Sequence, residues 1–96
     1  MREITPAEVA DRPLVDVREQ QEWDAGHAVD AIHIPMSEVV ARLSEVPDGA
    51  AVICRSGARS AQVVAYLEQQ GLDAVNVAGG TLAWAQAGRP MVGTVA

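Results

Sequence analysis

The segment that most constrains the fold is Ala50-Ala51-Val52-Ile53-Cys54. All five residues are apolar, so a strand here can expose neither face to water. Such a strand belongs in the middle of a parallel sheet that helices cover on both sides. The chain has 96 residues, which fits one compact domain over residues 1–96. At that size folding buries roughly two-thirds of the unfolded surface, enough for a core without staples.

The remaining segments supply partners for that strand. Leu14-Val15-Asp16-Val17, Ala31-Ile32-His33-Ile34 and Ala74-Val75-Asn76-Val77 read as further strands. Thr5-Pro6-Ala7-Glu8 has the form of a capping box with proline at the first helical position, predicting a short helix to Asp11. Arg18 to Ala25 is polar and acidic and predicts a short helix stopped by Gly26. Ser37 can cap a helix over 38–43, with Val39, Val40 and Leu43 on its apolar face. The longest helix is expected over 60–70, with Val63, Val64 and Leu67 as its buried stripe and Gly71 as its cap. Gly79-Gly80 reads as a turn and Thr81 as the cap of a last helix through Ala87; from Arg89 onward a weakly packed tail is expected. Strands alternating with helices give a three-layer α/β/α domain with a mostly parallel sheet of four to five strands.

Composition removes several chemistries. Cys54 is the only cysteine, so an intramolecular disulfide and a multi-cysteine metal cage are both excluded. All seven basic residues are arginine, which rules out lysine-dependent phosphate loops, Schiff bases and lysine general bases. A net charge of −6 argues against a nucleic-acid surface. The N-terminus lacks the apolar core of a signal peptide, and the longest uncharged stretch, 74–88, is short and glycine-interrupted. A lone cysteine without an export signal fits a reducing cytoplasm, and no membrane partner is expected.

The chemistry concentrates in Cys54-Arg55-Ser56-Gly57-Ala58-Arg59-Ser60. In a doubly covered parallel sheet, ligand sites lie beyond the C-terminal ends of the strands, where Cys54 falls. Small residues allow a tight loop whose amides turn inward, and the start of the next helix adds further N–H donors. That field favours thiolate. An ordinary thiol is only about 3% ionised at pH 7, and lowering its pKa by two units takes roughly 2.7 kcal/mol. The opposing reading is a small buried hydrophobe beside two solvated arginines. Four residues separate Cys54 from Arg59, one fewer than in a tyrosine-phosphatase cradle. The tighter ring suits a smaller anionic centre, such as the outer sulfur of a persulfide.

Four segments, in order, resemble the rhodanese (thiosulfate sulfurtransferase) homology domain. They are Asp16-Val17-Arg18-Glu19; Glu22-Trp23 with Gly26-His27 and Ala31-Ile32-His33-Ile34-Pro35; the loop from Cys54 to Arg59 with Ser60; and Gly79-Gly80 with Ala83-Trp84, Gly88 and Pro90. The likeness covers nearly the whole chain and implies a free-standing single-domain member. Where the family continues Gly-His with Ile-Pro-Gly, this chain has Ala28-Val29-Asp30, so a different local turn is expected.

The resemblance implies that Cys54 takes sulfane sulfur as a persulfide. It also implies that the amides of Arg55, Ser56, Gly57, Ala58, Arg59 and Ser60 surround that sulfur. Arg55 and Arg59 would draw in an anionic donor, thiosulfate or a low-molecular-weight persulfide. A thiol or cyanide would accept the sulfur, and a sulfur-relay protein could serve as partner. Asp16 and Arg18 would brace the loop. No cofactor or metal is implied, because cysteine carries the group itself. His27 and His33 are assigned structural roles, Trp23 and Trp84 packing roles, and Glu19 to Asp24 a solvated face. Two other readings stay open: a small cysteine phosphatase or arsenate reductase, and a non-catalytic persulfide-sensing or partner-binding module.

Overall fold

The computed structural model describes residues 1–95; Ala96, the last residue of the expected domain and tail, lies outside the described residues. The central sheet has strands β1 (Glu3–Ile4), β2 (Leu14–Asp16), β4 (Ile32–His33), β5 (Ala50–Ile53) and β6 (Ala74–Val77). Their order is β1-β6-β5-β2-β4, all parallel, with β5 in the middle. The doubly apolar segment therefore lies where its composition requires.

Alternation along β5 divides the core. Ala50, Val52 and Cys54 face helix α2 (Ala58–Gln69), packing with Val63, Val64 and Leu67. Ala51 and Ile53 face the other side, packing with Val75, Val77 and Trp84 of helix α3 (Gly80–Gln86). Both faces are thus covered, giving the expected layering. Gly71, at φ +83, closes α2 as the sequence suggested.

Several elements differ from the sequence reading. The expected helix to Asp11 is one 3-10 turn, Pro6–Glu8; its capping box is present, but Ala10 turns to φ +52 and ends it. Helix α1 (Gln20–Ala25) starts two residues later than expected. No α-helix forms over 38–43. Two 3-10 turns, Met36–Glu38 and Leu43–Glu45, stand there instead. The Met36 N–H bonds to the Val17 carbonyl (2.9 Å), and Arg42 ties Glu38 to Glu45, so this short stretch is pinned across its length rather than left to nucleate a helix. Val39 is buried as expected, whereas Val40 is 67% exposed.

The tail from Arg89 is not loose. Strand β7 (Met91–Gly93) pairs antiparallel with β3 (Gly26–Ala28), and Trp84 Nε1–H donates to the Pro90 carbonyl (3.0 Å). The departure at Ala28-Val29-Asp30 belongs to this ribbon. The Val29 N–H donates to the Pro90 carbonyl (3.1 Å), and Asp30 takes φ +66. The groove it lines includes Trp84, Arg89 and Pro90 and none of the Cys54 loop.

Thr81 is not the cap of α3. Gly79, at φ +76, takes that position, and Thr81 lies buried inside the helix. The start of α3 presses against the back of the cysteine loop. The Thr81 N–H donates to the Cys54 carbonyl (2.8 Å), and the Leu82 N–H to that of Arg55 (3.2 Å). A Cβ on Gly80 would lie 2.2 Å from the Cys54 carbonyl oxygen, at a φ of +60. Gly80→Ala should therefore destabilise the fold by more than ~2 kcal/mol, because backbone clash adds to left-handed strain. Gly71→Ala, with the same φ sign and no atom within 4 Å, should lose only about 1 kcal/mol. Urea unfolding of both variants checks the difference; equal losses would contradict the docking of α3 on the loop.

Candidate active site

Cys54 directly follows β5, and its side chain is 1% exposed. Gly57, the N-cap of α2, adopts φ +107, a conformation other residues enter only with strain. That turn folds the loop back so that donors converge on the sulfur. The Gly57 N–H lies 3.1 Å from Cys54 Sγ, the Ser60 N–H 3.4 Å and the Ser60 Oγ 3.2 Å. Helix α2 begins at Ala58, two residues before the expected start. Ser60 is therefore in its first turn, where an amide has no helical partner and is free to serve the sulfur.

Burial pushes the Cys54 thiol up. The Ser60 hydroxyl and the amides of Ser60, Gly57 and Ser56 outweigh that effect and hold it below its ordinary value. Of the expected ring of amides, those of Ser56, Gly57 and Ser60 act on the sulfur. The side chains of Arg55, Ser56 and Ala58 are exposed at the mouth.

Arg59 is placed differently from the sequence reading. Both of its terminal nitrogens bond to Glu22 of α1, at 2.7 and 2.9 Å. The fork expected to receive an anion is thus occupied by a carboxylate. Glu22, read as part of a solvated face, is instead a partner of the Cys54 loop. A phosphatase-style cradle needs that arginine fork for the oxyanion, and here it is engaged elsewhere.

Asp16 and Arg18 are wholly buried as a pair. Arg18 Nε and Nη2 donate to the Asp16 carboxylate at 2.9–3.0 Å, and Nη2 also donates to the Gly26 carbonyl (2.7 Å). The pair ties the end of β2 to the far end of α1 and so supports the element that carries Glu22. Each histidine makes a hydrogen bond to a backbone carbonyl and stacks on a ring. The Arg18 carbonyl can only accept, so His33 donates to it from Nε2 (2.8 Å). Trp23 stacks against both His27 and His33, with ring centroids 3.6 and 4.6 Å away.

Sequence reasoning missed Asn76. Wholly buried in β6, it contacts both Ser60 Oγ and the Gly57 carbonyl. Its signal was a lone amide in an otherwise apolar strand, which must find partners.

The Glu22–Arg59 pair has a pH signature. The hydrogen bond from Arg59 is the main cause that takes the Glu22 carboxyl from 4.5 down to about 2; burial opposes it, and the Glu19 N–H and nearby arginine charge assist. A depressed carboxyl contributes stability above its unfolded pKa and loses it as pH falls through the folded one. Glu22→Gln should cost about 1 kcal/mol near neutrality, since the pair is half-buried. The gap to wild type should close as pH falls from 4.5 to about 2. Urea unfolding across that range measures it; a gap independent of pH would contradict the pairing.

Comparison with known proteins gives the family and the fold. The sequence profile of the Rhodanese-like domain matches residues 4–87. A protein of Allochromatium vinosum named sulfurtransferase is 46% identical over 89 residues, covering 90% of this chain and 83% of its own. The crystal structure of a rhodanese-related protein from Thermoplasma volcanium superposes with a TM-score of 0.88 at 36% identity, covering 96% of this chain and 98% of its own. That of a rhodanese-like domain protein from Staphylococcus aureus has a TM-score of 0.82 at 38% identity, covering 88% and 91%. With a profile that spans most of the chain and relatives 46% and 36% identical over most of their own length, the chain belongs to the rhodanese-like domain family.

Proposed function

We propose that the protein is a sulfurtransferase that carries sulfane sulfur as a persulfide on Cys54. The observation that carries this reading is the convergence of the Gly57 N–H, the Ser60 N–H and the Ser60 hydroxyl on one buried sulfur. A binding module has no need of a donor cluster that favours thiolate. Membership of a family whose relatives are named sulfurtransferases supports the same class of reaction.

The transfer takes two displacements. The Cys54 thiolate attacks the outer sulfur of the donor. A new S–S bond forms to Cys54, and the donor's own S–S bond breaks with its electron pair. From thiosulfate the leaving group is sulfite; from a low-molecular-weight persulfide it is a thiolate. A cyanide or thiolate acceptor then attacks the outer sulfur and forms its own bond to it. The Cys54 bond breaks and the thiolate returns. Sulfur is passed with its electron count unchanged, so no external oxidant or reductant is required. The amides of Ser56, Gly57 and Ser60 stabilise the charge on sulfur in each state without reorganising, which is where the rate advantage lies.

Arg55, at the exposed mouth, is assigned to draw in an anionic donor, whereas Arg59, held by Glu22, keeps the loop in place. The Asp16–Arg18 pair supports α1 beneath that contact. A sulfur-relay protein is a further candidate for exchange at the mouth. The sequence acts as one domain over residues 1–96 and works in a reducing cytoplasm, where a lone thiol persists. No helix among the described residues is long and apolar enough to cross a membrane.

Intact-mass spectrometry tests this reading. Incubation with thiosulfate or glutathione persulfide should add about 32 Da, one sulfur, and cyanide should remove it. Cys54→Ser should gain nothing. Failure of every donor to load the wild type, or equal loading of Cys54→Ser, would overturn the proposal.

A further inference from the structure

Asn76 is the one polar residue of β6; Ala74, Val75 and Val77 around it are buried and apolar. Its amide orientation is fixed by two acceptors. Nδ2 donates to Glu3 Oε2 (2.8 Å) and to the Gly57 carbonyl (3.1 Å). Turning the amide over would set its oxygen against both. Oδ1 must therefore face Ser60, whose Oγ lies 2.5 Å away. The same Oγ is 3.2 Å from Cys54 Sγ and 3.2 Å from the Gly57 carbonyl. A hydroxyl has one proton, and here three acceptors share its reach. With a neutral thiol the shortest contact holds the proton, so the hydroxyl donates to Asn76. An ionised sulfur is the stronger acceptor, and the hydroxyl must turn to it. Asn76 Oδ1 and Ser60 Oγ are then left facing each other with no proton between them, which opposes ionisation.

We propose that Asn76 is a positioning residue that holds the Ser60 hydroxyl proton off Cys54 until the sulfur carries charge, and so sets how readily the thiol ionises. The proposal rests on Cys54 as the nucleophile, but its test reads ionisation and not sulfur transfer, so the two can fail separately. The charged groups around the sulfur are Arg55 on the loop, Arg59 in the first turn of α2 with Glu22 of α1 upon it, the Asp16–Arg18 pair on the neighbouring strand, and Glu3 behind Asn76. Replacing Asn76 removes none of these charges.

The test is the rate of Cys54 alkylation by iodoacetamide as a function of pH. Asn76→Ala releases the hydroxyl, so the midpoint should fall by about half a unit, roughly a threefold gain in thiolate below the midpoint. Ser60→Ala should raise the midpoint. The double variant should match Ser60→Ala alone, since without the hydroxyl Asn76 has nothing to hold. Glu3→Ala, a change at an exposed residue, loosens the amide and should lower the midpoint less. That shift too should vanish in the Ser60→Ala background, where a simple charge effect would persist. Thermal melts establish that each variant is folded; if Asn76→Ala is not, the Glu3 pair of measurements decides. An unmoved or raised midpoint, or a shift that survives without Ser60, would overturn the proposal.

Discussion

Everything in this site depends on one contact: a buried sulfur held against N–H donors at the start of a helix. Burial alone would keep Cys54 protonated and inert. The reversal comes from three amides and a hydroxyl that the backbone places around Sγ. None is placed by chance. β5 sits at the centre of the sheet and delivers the thiol to its C-terminal edge. Gly57 turns the chain, and α2 presents its partnerless first-turn amides. From behind, α3 fixes the Cys54 carbonyl through the Thr81 N–H. The loop is thus held by backbone bonds on two sides before any side chain acts.

Side chains then tune it. Glu22 engages Arg59, so the positive charge nearest the helix start serves the loop's shape more than the capture of a ligand. The buried Asp16–Arg18 pair gives α1 a fixed footing through the Gly26 carbonyl. On the opposite side Asn76 engages Ser60 and Gly57 together. The protein carries a net charge of −6, yet it surrounds the Cys54 sulfur with N–H and O–H donors. In the proposed reaction Cys54 has no second cysteine in this sequence to resolve it, so the acceptor is a separate thiol or cyanide.

How much was legible in the sequence follows from the range of each interaction. β5, β6 and α2 were readable because local pattern alone determines them: doubly apolar runs and a 3.6-residue stripe with glycine beyond it. The loop was readable because its small residues and cysteine are contiguous. Glu22 with Arg59 and Glu3 with Asn76 were not, since each pair joins residues far apart in the chain, and no periodicity reports such a pairing. The β3–β7 ribbon was missed for the same reason. The stretch from Met36 to Glu45 was misread because its apolar spacing suits a helix, while its anchors at Val17 and Arg42 enforce tighter turns.

The central claim is that the backbone cradle outweighs burial and favours the charged sulfur. The most direct measurement is a titration of the wild-type thiolate by its ultraviolet absorbance. The structure predicts a midpoint below that of an unperturbed cysteine thiol titrated in the same way. A midpoint at or above that value would mean that burial prevails, and the account of Cys54 as a poised nucleophile would be wrong.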